Sequence, residues 1–461
     1  MKRTWFPVIV CLALLLAGAP ARAKDTLNWR VKQNQVDAEI ERSGLIPLLK
    51  KVALATGWKV YVEPDAGTTV SVKFKNLSQD EALARMLGKL NYAKDQSNGI
   101  TRLRVYCTLP SAATQIVPPE KKDYRIANED LVKLKHGAGT NAIDKLAKSL
   151  GAKITGRDDR IGLYRLQFAD ADSAAAGLQS LASDPSVASA DSNYLVDRPT
   201  PAQITQVPNP AGPLFNINPQ PDANGPIVGL VDTSVDPPDQ FKAYMLNPIN
   251  VTGQTDTPTD TPSHGTGMLE TMLQAMAGDP SKILPVDVYG SGDSTDSYIF
   301  TEGILAAINA GANPINISSG GTGDSTILGS LIQEASQKGI VFVAAAGNTP
   351  GEGDVYPAAY PGVISVTAST QTLTGPITSG SANVGGGQPQ LASYANDFPG
   401  TAVIAPGTSM VQWNGQTWVI EGTSPATAGT TGTIADLVNQ DHLTLSQAVA
   451  QVMKASPAPS K

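Results

Sequence analysis

The 461-residue chain is poor in cysteine and histidine. Cys11 lies in an apolar N-terminal run, so Cys107 is the single cysteine of the remaining chain. One thiol excludes an intramolecular disulfide framework and a cysteine metal cluster in that part. The three histidines, His136, His264 and His442, leave few choices for an imidazole that acts as an acid or a base.

Positive charge is scarce in the second part of the chain. Residues 24–200 contain 26 Lys and Arg against 21 Asp and Glu, a net charge of +5. Residues 201–461 contain 5 Lys and Arg against 20 Asp and Glu, a net charge of −15. So few basic side chains argue against a nucleic acid ligand for the second part. The break near residue 200 indicates two kinds of domain, whose opposite charges predict mutual attraction.

The N-terminus carries a long apolar run with the features of an export signal. The segment MKRTWFPVIVCLALLLAGAPARA has a basic start, an apolar stretch and a small-residue ending at Ala23. The stretch is too short to span a bilayer comfortably, and no stop-transfer pattern follows it. Residues 1–23 are therefore predicted to be a cleaved signal peptide, with a membrane anchor as the alternative. A secreted or periplasmic protein without a transmembrane segment in its mature chain is expected.

Two small α+β domains are predicted before residue 200. Residues 24–110 show strand-like alternation around two helical segments, the second opening with a Ser78–Glu81 capping box. A linker is predicted at 111–122, and residues 123–198 repeat the order βαββαβ. Residues 199–225 are rich in Pro, Asn and Gln, which predicts an exposed, irregular connector and a processing region.

Residues 226–455 alternate short apolar runs with helical segments. This alternation predicts an α/β fold with a mostly parallel, doubly wound sheet that has helices on both faces. In such sheets the functional groups collect at the carboxyl ends of the strands. Asp232 ends the first strand, His264 stands at the start of a helix, and Asn348 follows the buried run VFVAAAG. Taken alone, an Asp or Asn at such a point is most often a turn residue.

Two Gly-Thr-Ser triplets supply candidate nucleophiles, at Ser409 and Ser424. Ser409 is followed by an Asn-Gly pair between apolar segments, which is a strong hairpin signal and puts its hydroxyl on a strand edge. Ser424 is followed by Pro425 and a helical run, so it is predicted at a helix N-terminus. Free backbone N–H groups and the positive end of the helix dipole favour a developing oxyanion there. Local structure therefore favours Ser424.

A serine nucleophile needs an adjacent base that a third group orients. Asp232, His264 and Ser424 supply these groups in the chain order of subtilisin. With the motifs GLVDTSV, SHGTGM, AAAGN and GTSPATAG, residues 226–440 resemble the subtilisin-like serine proteases, or subtilases. The segment 123–198, which ends in SVASADSNYL, resembles their propeptides. Residues 27–108 are similar to the short N-terminal domain of secretins and TonB-dependent receptors, which implies an envelope protein partner.

The resemblance to subtilases implies roles for individual residues. Ser424 would be the nucleophile, His264 the base and then the acid, and Asp232 the group that orients the imidazole. Asn348 and the N–H of Ser424 would form the oxyanion hole. The walls that pair with an extended polypeptide substrate would be Ser318, Ser319, Gly320, Ala345, Ala346 and Gly347.

Some positions depart from the family pattern. Gly267 stands where many relatives have a second histidine, Ala428 replaces a common proline, and Pro314 removes a strand donor. None of these changes removes a catalytic group. Subtilases often bind calcium, but the sequence places no calcium site, and neither a metal ligand set nor a cofactor is predicted.

The sequence thus predicts an exported serine endopeptidase made as an autoinhibited precursor. Residues 123–198 would act as intramolecular chaperone and inhibitor, and the connector would be cut later, by the protein itself. One alternative is a catalytically inactive subtilase fold that serves as an envelope interaction scaffold. Another is an esterase or peptide ligase that uses the same three residues.

Overall fold

A computed structural model gives the architecture of the chain. The structure describes residues 26–64, 66–97, 100–117, 124–139, 141–211, 214–215, 221–222, 224–256, 260–276, 280–377 and 389–456. The predicted signal peptide 1–23 lies outside these residues. The chain divides into two compact units, Met1–Lys122 and Asp123–Lys461.

The first unit contains two small sheets and two helices. Its elements are β1 (Thr26–Arg30), β2 (Gln35–Gly44), α1 (Leu45–Thr56), β3 (Lys59–Val62), β4 (Thr69–Leu77), α2 (Gln79–Leu87), β5 (Asn91–Ser97), β6 (Ile100–Tyr106) and β7 (Gln115–Val117). The sheets have the strand orders β1-β2-β4 and β5-β6-β3-β7, and both helices pack apolar faces into one core with them. Ser78 and Glu81 form the predicted capping box.

The predicted linker 111–122 is wrong at its start. β7 pairs antiparallel with β3 and so completes the second sheet of the first unit. A three-residue strand before two prolines offers too short a pattern for an alternating period to be recognised.

The second unit begins with a smaller antiparallel sheet. Its elements are β8 (Arg125–Leu134), α3 (Asn141–Leu150), β9 (Lys153–Asp158), β10 (Leu163–Gln167), α4 (Ala171–Ser183) and β11 (Val187–Asp197). This is the predicted order βαββαβ. The sheet has the strand order β16-β11-β8-β10-β9, in which β16 (Ser294–Asp296) comes from the following α/β domain.

The α/β domain is organised around a nine-stranded sheet. Its strands are β12 (Gln203–Val207), β13 (Ile227–Asp232), β14 (Ile249–Asn250), β15 (Ile283–Asp287), β17 (Ala312–Ile317), β18 (Phe342–Ala345), β19 (Val363–Thr372), β20 (Val403–Trp413) and β21 (Gln416–Glu421). Its helices are α5 (His264–Ala275), α6 (Ser297–Asn309), α7 (Thr326–Gln337), α8 (Thr423–Gln440) and α9 (Leu445–Ala455). The sheet order is β12-β21-β20-β19-β18-β17-β13-β15-β14.

Helices cover both faces of this sheet. From β14 to β20 all neighbouring strands are parallel, and β21 and β12 add antiparallel at one end. α6 and α7 pack with one apolar core, and α5, α8 and α9 contribute to the cores of the opposite face. The predicted doubly wound α/β fold is therefore confirmed.

Two local expectations about the end of the sheet differ from the structure. The connector 199–225 was expected to be irregular, yet Gln203–Val207 forms β12, because β21 offers it a free edge for pairing. Asn414 and Gly415 form the predicted hairpin turn, with φ of 48° and 71°. Ser409 does not lie at a sheet edge, because β20 is paired on both sides, with β19 and with β21.

Glu270 is a buried carboxyl group in α5. Its side chain accepts a hydrogen bond from the N–H of Gln412 (2.7 Å), and its Oε1 has no partner among the residues that the structure describes. Because burial disfavours the charged form, the pKa of Glu270 is raised to about 8. The folded state therefore retains a proton that the unfolded chain has already released.

We predict that Glu270→Gln stabilises the protein at alkaline pH. A carboxyl group with a raised folded-state pKa stabilises the fold at low pH, and this contribution is lost as the pH rises through about 8. Glutamine carries no charge, so the variant should gain roughly 1–3 kcal/mol in free energy of unfolding near pH 9 and little near pH 5. Chemical denaturation at both pH values measures this, with the exposed Glu334→Gln as control. An equal gain at both values would contradict the prediction.

Candidate active site

Asp232 and His264 meet at the carboxyl edge of the sheet. β13 ends at Asp232, and α5 begins at His264 after Ser263, whose side chain caps the helix. His264 Nδ1 lies 2.8 Å from Asp232 Oδ1 and 3.0 Å from Oδ2. A carboxylate only accepts, so Nδ1 carries the proton and Nε2 is left as an acceptor. Nε2 is buried and has no hydrogen-bond partner within the described part of the chain.

The approach of α5 to the end of β13 depends on a glycine. The N–H of Gly265 donates to Thr233 Oγ1 (2.8 Å). A Cβ on Gly265 would lie 2.4 Å from the carbonyl oxygen of Thr233, closer than two such atoms can approach. Thr233 N–H in turn donates to Asp232 Oδ1 (2.7 Å), which fixes the carboxylate. A glycine directly after the histidine therefore lets the two side chains meet.

Ser424 is the second residue of α8 and is 3% exposed. Its hydroxyl donates to the carbonyl oxygen of Ser318 (2.9 Å), and Ser318 Oγ donates to the carbonyl oxygen of Ser424 (3.1 Å). The predicted position at a helix N-terminus is therefore observed. The hydroxyl is therefore not hydrogen-bonded to His264 Nε2 in this conformation.

Asn348 lies in the loop after β18 and is oriented by the start of α8. Its Oδ1 accepts from the N–H and the hydroxyl of Thr423, at 2.9 and 3.1 Å. Its Nδ2 therefore points away from Thr423 and lies 3.5 Å from the carbonyl oxygen of Thr200, in the connector. Asn348 is thus held next to Thr423, the residue that precedes Ser424.

The six predicted wall residues follow two neighbouring strands. Ser318, Ser319 and Gly320 come directly after β17, and Ala345, Ala346 and Gly347 lie at and beyond the end of β18. Gly347 is held beside the start of α8 by a hydrogen bond from its N–H to Thr423 Oγ1 (3.2 Å). Of the six, Ser318 is hydrogen-bonded to Ser424 and Gly347 to Thr423.

The sequence analysis did not predict that the edges of β16 and β21 would bind the chain before and after Thr200. β11 pairs with β16, and Ala202 N–H donates to the carbonyl oxygen of Glu421 (2.7 Å). β16 is three residues long and has no alternating apolar pattern. In the sequence, the hairpin signal at Asn414–Gly415 indicated that β21 would form and offer an edge for strand pairing.

The other candidate serine and histidines lie away from this cluster. Ser409 is fully buried, accepts from Thr271 Oγ1 (2.9 Å) and donates to Gln274 Oε1 (3.1 Å), so it has no base beside it. His136 and His442 are exposed. Gly267 faces β21, where a Cβ would lie 3.1 Å from Ile420 Cδ1, so a larger side chain there would require Ile420 to shift.

Neither a metal cluster nor a membrane helix is found in the described ranges. No three His, Cys, Asp or Glu side chains there stand close enough to hold a metal ion, so no calcium site is assigned. None of the helices in those ranges is both long and apolar enough to cross a bilayer.

Comparisons with known proteins agree with this geometry. Residues 223–457 match the subtilase family, and residues 110–193 match the fervidolysin N-terminal prodomain. A thermophilic serine proteinase of Bacillus sp. strain AK1 is 26% identical over 366 residues, which cover 74% of this chain and 86% of that protein. Fervidolysin of Fervidobacterium pennivorans is 29% identical over 207 residues, which cover 40% of this chain and 28% of fervidolysin.

The solved structure of fervidolysin, a keratinolytic enzyme related to subtilisin, supports the fold. It aligns with a TM-score of 0.52 and 21% identity and covers 69% of this chain, which spans about half (55%) of the fervidolysin chain. The subtilase match extends across the whole α/β domain that carries Asp232, His264 and Ser424. The chain therefore belongs to the subtilase family of serine peptidases and carries a fervidolysin-like prodomain before its catalytic domain.

Proposed function

We propose that this chain is an exported endopeptidase that cuts polypeptides through Ser424, His264 and Asp232. The observation that carries the proposal is the buried hydrogen bond between His264 Nδ1 and Asp232 (2.8 Å). This bond leaves Nε2 as the acceptor that a serine hydroxyl requires. A buried Asp-His pair beside a serine at a helix N-terminus is suited to acyl transfer.

In the proposed reaction Ser424 Oγ attacks the carbonyl carbon of the scissile bond. The hydroxyl proton passes to His264 Nε2, and Asp232 stabilises the imidazolium that forms. When the C–N bond breaks, His264 returns this proton to the leaving nitrogen and an acyl-enzyme remains. Water then attacks the acyl carbon by the same proton route and releases the second product.

Charge that develops on the carbonyl oxygen would be stabilised by two donors. One is the N–H of Ser424, at the positive end of α8. The other is Asn348 Nδ2, which is oriented because Oδ1 is held by Thr423. The six wall residues at 318–320 and 345–347 would bind the substrate backbone on both sides of the scissile bond.

We propose that residues 123–198 act as a folding chaperone and inhibitor of this site. The support is the pairing of β11 with β16, by which the prodomain sheet continues onto the catalytic domain. The predicted signal peptide 1–23 implies export to the periplasm or the exterior, and the envelope partner of residues 27–108 stays a prediction.

One observation favours the inactive scaffold as a second candidate. Ser424 Oγ donates to Ser318 (2.9 Å) while His264 Nε2 has no partner among the described residues, so the nucleophile and base are not engaged. In free enzymes, catalytic hydrogen bonds often tighten only when substrate binds. The two candidates differ in one measurable property, the reactivity of Ser424.

We predict that a fluorophosphonate probe labels Ser424 in a shortened, matured chain. The wild type and Ser409→Ala should be labelled, because Ser409 has no base beside it. Ser424→Ala should stay full length and unlabelled. Gel fluorescence and mass spectrometry of the three proteins measure both properties. Absence of label in the wild type, both before and after the connector has been cut by an added protease, would support the scaffold instead.

We predict that Asn348→Asp lowers kcat and leaves KM almost unchanged. Aspartate retains an oxygen that accepts from Thr423 but has no N–H to give to the oxyanion. Removal of one such donor costs roughly 100- to 1000-fold in kcat, a range measured on subtilisin itself. Steady-state peptide hydrolysis by the activated protein tests this, with the exposed Asn247→Asp of the catalytic domain as control. A change in KM alone would show that Asn348 binds substrate without acting on the oxyanion.

We predict that salt weakens the hold of the prodomain on the catalytic domain. Arg165 Nη1 lies 2.7 Å from Asp296 Oδ2 in a partly buried pair, and Arg160 and Lys133 approach Glu302 and Glu334. Salt screens the exposed members of such a set. After the connector has been cut by an added protease, hydrolytic activity should recover faster at high than at low ionic strength. Equal rates would mean that these charges contribute little to inhibition.

A further inference from the structure

The connector after β11 is held in a single register where it passes Asn348. Leu195, Val196 and Asp197 pair antiparallel with β16, and Arg198 N–H donates to the carbonyl oxygen of Asp293 (2.9 Å). The Arg198 guanidinium also donates to the carbonyl oxygens of Gly290 and Gly292, at 2.8 and 3.0 Å. It forms an ion pair with Asp256 as well. The chain is thus fixed before it reaches Thr200.

The chain is fixed again directly after Thr200, the residue that faces Asn348. Ala202 N–H donates to the carbonyl oxygen of Glu421 (2.7 Å), and Gln203–Val207 pairs antiparallel with β21. Asn209 then binds the hairpin turn, through Nδ2 to the carbonyl oxygen of Gly415 (2.8 Å) and Oδ1 from Thr417 Oγ1 (3.0 Å). Side chains along a strand point alternately to opposite faces of a sheet. A shift of the connector by one residue would therefore disrupt both strand pairings.

Between these two anchors lie Pro199, Thr200 and Pro201. The carbonyl oxygen of Thr200 is the acceptor that faces Asn348 Nδ2, at 3.5 Å. If Asn348 is an oxyanion donor, as proposed above, then the peptide bond presented for attack is Thr200–Pro201. The connector therefore takes the position of a substrate, with a proline as its leaving group.

We propose that Pro201 makes the connector an insert that the catalytic site binds but does not cut. This inference depends on the proposed function and deepens it. Attack by Ser424 Oγ on the carbonyl carbon of Thr200 would form an ester and break the bond to the Pro201 nitrogen. That nitrogen would have to take its proton from His264 Nε2 in order to leave.

The ring of Pro201 opposes this proton transfer. An ordinary leaving nitrogen carries a hydrogen and can turn its lone pair toward the imidazole. In proline the ring carbon Cδ replaces that hydrogen, and the ring fixes φ near −65°. Because Ala202 is hydrogen-bonded to Glu421 directly after the ring, the nitrogen cannot turn without breaking that bond. An acyl-enzyme that did form would be attacked again by the tethered Pro201 nitrogen.

It follows that the precursor stays inhibited until another bond is cut. The prodomain strand β11, the connector and β12 form one continuous segment, which is held at β16, at Asn348 and at β21. Maturation then requires cleavage of a different bond, by Ser424 of a second copy of this chain. The sequence analysis predicts that the chain cuts its own connector. The proposal excludes one bond, Thr200–Pro201, from that self-cleavage.

The test compares Pro201→Ala with the matched control Pro199→Ala in the full chain. Alanine at 201 restores an N–H to the leaving nitrogen and keeps both anchors, whereas Pro199→Ala removes a ring and leaves Pro201 in place. Purified proteins are examined by intact mass and N-terminal sequencing, with Pro201→Ser as a second variant in case one is insoluble. We expect cleavage between residues 200 and 201 in the Pro201 variants, increased at least tenfold over the wild type and the control. Ser424→Ala should abolish it.

Three results would overturn the proposal. Cleavage of the wild type between Thr200 and Pro201 overturns it. Pro201 variants that stay intact while Ser424 reacts with the fluorophosphonate probe overturn it as well and leave the proposed function standing. Pro201 variants that stay intact while Ser424 is unreactive in every form overturn both.

Discussion

The hydrogen bond between His264 Nδ1 and Asp232 is the contact on which the rest of the site depends. It forms because a buried parallel strand ends at Asp232 and a helix begins at His264, so the backbones of both residues are fixed before their side chains meet. Gly265 permits the close approach, and Thr233 holds both partners through one hydroxyl and one N–H. The bond decides which imidazole nitrogen carries the proton, and so leaves Nε2 available to Ser424.

The helix that carries Ser424 is rigid because it is buried on all sides. Thr427, Thr430, Thr431 and Thr433 on α8 are fully buried, and each hydroxyl donates to the carbonyl oxygen four residues earlier. Buried hydroxyls that bond within their own helix avoid the cost of an unsatisfied polar group. Small residues therefore let α8 pass close to α5 and to the sheet, and the position of Ser424 is set by packing rather than by a surface loop.

The sequence predicted the parts of this protein that repeat a strong local pattern. The alternation of strands and helices after residue 226, the position of Ser424 at a helix start and the Asn414–Gly415 turn all follow from local residue types. β7, β12 and β16 were missed because each is short and forms only when a distant edge is available to pair with it. The bond from Ser424 to Ser318 was missed for the same reason, since it joins residues that are remote in the sequence.

The strands β12 and β16, which the sequence analysis missed, also fix the connector on either side of Thr200. β11 on β16 and β12 on β21 use the backbone pairing by which an extended peptide binds to a sheet edge. The connector has the advantage of being tethered, because an intramolecular segment acts at a high effective concentration even when each contact is weak. A segment bound so well in substrate register would be destroyed by an active serine unless its own chemistry resisted attack. In the proposal above, a proline at the leaving position would supply that resistance, so that strong binding and persistence could coexist in one segment.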